Sequence, residues 1–405
     1  MKHLRVRAVR TKHLRITLGL TLALGLGGAL SFLGADSNDN DKKTSFTFAL
    51  LGDVPYAPTS GTAPTKVQTY PSQEYNDVIT DINNHEVLFT AHMGDIKAGD
   101  TWCVGGNAAK DPASAANVYT NNFALFNTFL NGVVYLPGDN EWTDCHRTNN
   151  GAYNPQERLS YVRKTFFVTD QTLGKRHFTV KRQSSDAGFA LYSENVMWQA
   201  GGIIFVGINQ PGSNNNHQRN TSASLPLPAD DNEGEYVARN AANIAWVNKA
   251  FDLAGSNAKT RAVVIMQQGN VFERFLESGQ NYTTSGYEGF VSTLRTRTVA
   301  FGKPVVLVGG DTHTVRIDKP LTTLYPGHCT PVSATCVQQA PANASPIVVS
   351  TAGTRIQNFT RVEVFGSPDA HWIRVVVDPN DPNVFSFGMQ TIPGTGHNNN
   401  GRDDR

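Results

Sequence analysis

The chain has 405 residues, a length that suits one large domain or two modest ones. Hydrophobic residues make up 39% and charged residues 17%, with 36 Gly and 20 Pro, which excludes disorder, coiled coil and collagen and describes a loop-rich globular protein. The formal charge is +1, but six basic side chains and no acid fall in the first 34 residues, so the remainder holds 29 basic residues against 34 acidic ones. That mildly acidic remainder gives no reason to expect nucleic acid as a partner.

The basic side chains Lys2, Arg5, Arg7, Arg10, Lys12 and Arg15 precede the uncharged run ITLGLTLALGLGGALSFLG at 16–34. That order is a secretory signal. The run also approaches the roughly 20 apolar residues needed to span a bilayer. Residues 1–35 therefore read as a signal peptide or an N-terminal membrane anchor, and 36–44 as a polar linker. Either way the folded part faces outward, secreted or periplasmic, with a membrane tether through 16–34 in the second case.

From there short apolar runs alternate with helix-compatible segments. Residues 45–51 read as a strand, 73–83 as a helix and 87–91 as a strand. Residues 115–130 form a helix with Phe123, Phe126 and Phe129 on one face, followed by a strand at 133–136. The strand 203–208, a helix at 234–253 and the strands 262–266 and 305–308 come next. The alternation argues a layered α/β fold spanning 45–390, with a polar tail at 391–405. From Ile347 onward strands without helices (IVVST, RVEVF, WIRVVV, VFSFGM) suggest an antiparallel edge or a second sheet. The irregular stretch 210–232 exceeds a connector's needs and reads as a binding loop, a lid or a surface insertion.

Four cysteines fit an oxidising compartment. Bridges 103 to 145 and 329 to 336 are the economical choice among three pairings. Sequons begin at Asn220, Asn281, Asn343 and Asn358, a weak signal in an Asn-rich chain.

The chemistry sits in the dipeptide Gly-Asp. With 36 Gly and 23 Asp, chance predicts roughly two such pairs, yet there are five. Four follow directly on apolar runs, at Asp53, Asp95, Asp139 and Asp311. In a parallel sheet these acids lie just beyond the carboxyl ends of neighbouring strands, where ligands bind, and the glycine permits the sharp turn. Converging carboxylates repel one another, a situation proteins accept mainly when a multivalent cation neutralises them.

At these residues the sequence resembles the calcineurin-like metallophosphoesterases, the superfamily of the purple acid phosphatases. The family's blocks run Asp-x-His, Gly-Asp, Gly-Asn-His-Asp/Glu, a lone His and Gly-His-x-His. Here the counterparts are Gly52-Asp53-Val54-Pro55-Tyr56, Gly94-Asp95, Gly138-Asp139-Asn140-Glu141, Met266-Gln267-Gln268 and Gly310-Asp311-Thr312-His313. The resemblance covers about 45–318 and implies a four-layer α-β-β-α sandwich with a pair of metals in a loop crevice. It implies Asp53, Asp95 and His313 on one metal, and Asp95, Asp139, Asp311 and Gln267 on the other. Tyr56, one residue beyond the missing first His, could supply the lost ligand as a phenolate, a use that purple acid phosphatases make of a tyrosine in another block.

Pro55, Asp139-Asn140, the glutamines and Asp311 depart from the family's pattern by exchanging nitrogen donors for oxygen. Hard donors favour Mg, Mn, Ca or Fe over Zn, so two divalent or trivalent ions of that kind are expected. Such a pair activates a water for in-line attack on a phosphomonoester or phosphodiester. Asn140 takes the place of the family's acid His and cannot do acid work. His146 is a candidate for that role and Arg147 for holding phosphate oxygens. Lys97, Arg316 and His217 are further candidates for substrate contact by location alone, while His92 reads as structural. The alternative is a fold-retaining binding protein with weakened turnover. No G-x-S-x-G elbow supports serine hydrolysis.

Overall fold

The structure is a computed structural model, and it describes residues 45–56, 58–217, 232–272, 285–323 and 353–393. The leader, the cysteines at 329 and 336, three of the four sequons and the expected strand at 347–351 lie outside these residues. Among the described residues no helix is long and apolar enough to cross a membrane.

In chain order the elements are β1 (Phe46–Leu51), β2 (Thr59–Ser60), β3 (Val67–Gln68), α1 (Gln73–Asn83), β4 (Phe89–His92), α2 (Val118–Phe126) and β5 (Gly132–Tyr135). Then come α3 (Pro155–Phe166), β6 (Lys181–Arg182), β7 (Val196–Ala200), β8 (Ile203–Gly207), the single turn α4 (Gly212–Asn215) and the long α5 (Asn232–Ser256). β9 (Ala262–Met266), α6 (Glu288–Phe301), β10 (Val305–Gly309), β11 (Arg316–Asp318), β12 (Phe359–Glu363), β13 (Trp372–Val377) and β14 (Phe385–Gln390) complete the set.

The fold is mixed α/β with two large sheets and the small hairpin of β2 and β3. The first sheet runs β14-β13-β1-β4-β5 and the second β11-β12-β10-β9-β8-β7-β6. Strand parity explains why β1 is central. Phe48 and Leu50 enter a core shared with second-sheet residues such as Trp198, Phe205, Val264 and Val308. Ala49 and Leu51 enter a different core, formed with Tyr75, Val78, Ile79 and Ile82 of α1 and residues of α2 and α3. A strand buried on both faces reads as a continuous apolar run, as FALL does here. A third core joins the opposite face of the second sheet to α5 and α6 through Val263, Ile265, Trp246 and Leu294.

The helices are capped as their sequences dictate. Ser72 accepts the Tyr75 amide at 3.3 Å to start α1, and Asn154 accepts the Glu157 amide at 3.0 Å with Pro155 in the first turn of α3. Truncating a core ring such as Phe89, stacked 4.8 Å from Phe48, would cost about 3–5 kcal/mol.

Two features differ from the sequence reading. Of the C-terminal strands β13 and β14 run antiparallel, but β12 pairs parallel with β10, Val305 opposite Phe359, and antiparallel only with β11, while β6 and β7 are antiparallel at the far end of the same sheet. The sequence reading also leaves out α3, β7 and α6, and α2 runs over Val118–Phe126 and not the whole of 115–130.

Register sets up the site. In the first sheet Leu51 stands opposite His92 and His92 opposite Tyr135. In the second, Gly207 stands opposite Met266 and Met266 opposite Val308. Parallel strands in each sheet thus end level, and their following loops meet between the sheets.

Candidate active site

The loops after β1, β4 and β10 leave their strands through unusual backbone. Asp53, Asp95, Asp311 and His313 all have positive φ, at 52°, 55°, 79° and 58°. Non-glycine residues seldom adopt this region, and such strain gathers at functional sites. Gly94 shows why glycine precedes the acid: its φ is 86°, and a Cβ there would sit 2.7 Å from the Gly138 Cα. The loops after β4 and β5 therefore touch backbone to backbone.

The four predicted aspartates converge. Asp53, fully buried, receives the Asp311 amide at 3.0 Å on Oδ1 and 3.2 Å on Oδ2. Asp95 Oδ2 accepts the Tyr56 hydroxyl at 3.2 Å and the Asn140 Nδ2 at 3.0 Å, while the Asn140 backbone amide reaches Oδ1 at 3.2 Å. Asn140 also donates to the Tyr56 hydroxyl at 2.9 Å. The amide nitrogen of Gln268 lies 3.1 Å from Asp95 Oδ2, 3.4 Å from Asp139 Oδ1 and 3.3 Å from Asp311 Oδ1. Asp311 Oδ2 accepts the Asn270 amide at 3.1 Å.

His313 joins from the other side. Its Nδ1 donates to the Ser367 carbonyl at 2.6 Å, and its Nε2 lies 3.9 Å from Asp53 Oδ1. A backbone carbonyl that fixes the tautomer in this way is the usual support of a metal-binding histidine. The Tyr56 ring packs edge-on to the imidazole with 5.2 Å between centroids.

Electrostatics are strained in the same place. Burial pushes the Asp53 carboxyl well above its ordinary range, and Asp311, Glu363 and Glu141 push it further while the Asp311 amide pulls it down. Burial likewise raises Asp95, reinforced by Asp139, Glu141, Asp53 and Asp311. Among the described residues neither acid pairs with Lys or Arg, and the nearest basic group to Asp53 is His313.

Other polar residues act as struts. Glu141 Oε1 accepts the Tyr135 hydroxyl at 2.6 Å, the Gly138 amide at 2.7 Å and the Asp95 amide at 3.2 Å, binding the β4 and β5 loops together. His92 lies 2.9 Å from the Val54 carbonyl through Nε2 and accepts the Gly94 amide on Nδ1 at 3.2 Å. Burial pulls its pKa down to about 3, so it is a neutral structural residue. Lys97 donates to the Ala98 carbonyl at 2.8 Å and to Asn150 Oδ1 at 2.9 Å. His217 pairs with Glu233 at 2.8 Å and Arg316 with Glu363 at 3.5 Å.

His146 and Arg147 belong to the 3-10 turn Thr143–His146 and its C-cap. Cys145 is bridged to Cys103, and both sulfurs rest against the Asn140 carbonyl at 3.4 and 3.6 Å. His146 is buried with Nδ1 on the Thr143 carbonyl at 2.8 Å. Arg147 pairs with Asp144 at 2.9 Å and reaches Ser213 Oγ at 3.4 Å, and Ser213 Oγ lies 2.8 Å from both Asp139 and Asp144.

Gln267 does not join the acids. Its side chain bonds the Gly269 carbonyl and Gln210, and Gln268 reaches the carboxylates instead. Parity along β9 carries the signal: Met266 faces the core between the sheets and Ile265 the helices, so two residues beyond Met266 comes the inward position. Ser213 and Gly212 were also missed. They sit in a turn where Ser213, Asn214, Asn215 and Asn216 all have positive φ, from 46° to 60°, and no sequence period announces that.

Among the described residues no group of three or more His, Cys, Asp and Glu side chains closes into a ready metal cage. The amides of Asn140 and Gln268 are interleaved with the carboxylates. The donor chemistry nonetheless fits a hard cation. Asp53 has one hydrogen-bond donor for two buried oxygens, and Glu141 Oε2 is buried with no partner among the described residues. No protein-family model matches the chain, and no curated protein matches it.

Proposed function

We propose that the chain is an exported, metal-dependent phosphoesterase acting on a phosphomonoester or phosphodiester. Its architecture is then the α-β-β-α sandwich, a layer order that the three separate cores support. The observation that carries the reading is the meeting of four carboxylates, three buried and Asp311 half-buried, from the carboxyl ends of strands in both sheets, with no compensating Lys or Arg on Asp53 or Asp95 among the described residues.

Asp53, Asp95, Tyr56 and His313 would hold a hard cation, with Asp139 and Asp311 beside them. When bound, such a cation supplies Lewis acidity and lowers the pKa of a water. The chain's own residues do the rest. Asn140 spends its two amide hydrogens on Tyr56 and Asp95, so its part is to position those two side chains and not to protonate a leaving group. Arg147, oriented by Asp144, is the candidate to hold phosphate oxygens, while the Ser213 hydroxyl donates to the carboxylates of Asp139 and Asp144. His146 stands on the same turn as Asp144 and is the candidate acid. Departure of the acid histidine favours the second reading, a binding protein of this fold with weak turnover.

A screen of the metal-stripped chain against phosphomonoesters and phosphodiesters, resupplied with Mg, Mn, Ca, Fe or Zn singly, tests the proposal. Turnover restored by a hard cation is expected. Failure of every cation, with Asp95→Asn binding metal as well as the parent, would sink it.

A further inference from the structure

The two halves of the acid cluster are satisfied differently. Asp139, from the loop after β5, and Asp311, from the loop after β10, are supplied by protein donors: Ser213 Oγ on Asp139, the Asn270 amide on Asp311, and on both the Gln268 amide, which also reaches Asp95. Gly212 closes the same space, since a Cβ there would run into Asp311 Oδ1 and Asp139 Oδ2. Asp53, from the loop after β1, receives a single backbone amide, and His313, from the loop after β10, turns its Nε2 toward that carboxylate.

The orientation of the Gln268 amide is decided by its other end. Its Oε1 accepts the Gly212 backbone N–H, which can only donate, so the NH2 group must face Asp95, Asp139 and Asp311. The side chain is fully buried and cannot turn away into solvent. An amide NH2 among three carboxylates supplies the partial positive charge that a cation would otherwise supply there.

Resting on the metal-dependent reading above, we infer that this centre takes one cation, not two. The cation sits with Asp53, Asp95, Tyr56 and His313, and the Gln268 amide fills the role of the second. Gly212 and Gln268 work as a pair: the turn backbone holds the amide, and the amide holds the acids. A single cation leaves the neutralisation of Asp139 and Asp311 to hydrogen bonds, so metal affinity depends on Asp53, Asp95, Tyr56 and His313.

The test is metal content per chain after saturation with Mn2+ and desalting, read by elemental analysis and native mass spectrometry. Parallel melting curves show that each variant is folded. The parent should retain one ion. Asp53→Asn should retain none, Asp311→Asn should still retain one, and Gln268→Glu, which replaces the donor with a ligand, should retain two. Two ions in the parent, or one in both the parent and Gln268→Glu, would overturn the inference while leaving the enzyme proposal standing. No ion in a folded parent would instead overturn the metal-dependent reading and this inference with it.

Discussion

Glu194 and Asp53 are both fully buried carboxylates beside strands of a large sheet, and the protein treats them in opposite ways. Glu194 is gripped by Arg163 at 2.8 and 2.6 Å and by Asn209 at 3.1 Å. Burial alone would raise its pKa, but the Arg163 charge and hydrogen bonds outweigh it and hold the carboxyl below the ordinary range. Asp53 has one backbone amide, three acidic neighbours that repel it, and a raised pKa. A carboxylate kept only for the fold is neutralised from within the chain. One left without an arginine, among further acids, points to a cation from outside.

The sharpest way to break this contrast is Asp95→Asn. Turnover should fall about 10³-fold or more if that carboxylate organises the centre. The stripped variant should gain stability, about 1–4 kcal/mol, because a repelling buried charge is gone. Activity assays and urea melts of the stripped protein measure both. A loss of stability together with full activity would place Asp95 in the same class as Glu194.

Arg163→Met should do the reverse. Leaving Glu194 buried and unpaired should cost about 3–5 kcal/mol in urea unfolding, with turnover per folded molecule unchanged. Adding Glu194→Gln should recover much of that loss. An equal loss of activity in the folded fraction would show that the two regions are not independent.

The two groups also separate by pH. Glu194, with a depressed pKa, contributes stability that is present above its unfolded value and lost as pH falls through its folded value. Asp53 and Asp95, with raised pKa values, contribute stability that is present below their unfolded value and lost as pH rises through their folded ones. The stripped protein should therefore weaken on both flanks, and saturating cation should abolish the alkaline loss while leaving the acid one. Melting temperatures across pH, with and without cation, read this directly. The smallest effect is expected for Ser213→Ala, a roughly threefold to tenfold fall in kcat/KM, since one hydrogen-bond donor to Asp139 and Asp144 is removed.

Much of this was legible in the sequence. The helix Gln73–Asn83 and the strands Ala262–Met266 and Trp372–Val377 fall where periodicity places them, because each has one clear period and clean ends. The four Gly-Asp corners, and the bridge between Cys103 and Cys145, were readable as well. What was not legible depends on pairing. Nothing local says that β12 lies parallel to β10, or that three corners belong to one sheet and Asp311 to the other. The choice of Gln268 over Gln267 needed the knowledge of which core Met266 faces.

The left-handed turn at 213–216 has a consequence beyond chemistry. Each such residue costs roughly 1–2 kcal/mol, and the turn is held by partners far along the chain. Arg239 of α5 donates to Asn215 Oδ1 at 2.6 Å and to the Asn215 carbonyl at 2.9 Å, and the Asn215 amide rests on the Tyr287 hydroxyl at 3.1 Å. The turn in turn orients Gln268 and Ser213. Transplanting the four Gly-Asp corners onto another α/β scaffold would therefore carry over the acids but not their arrangement. The unit that would have to be moved is the pair of sheets together with α5 and the segment leading into α6.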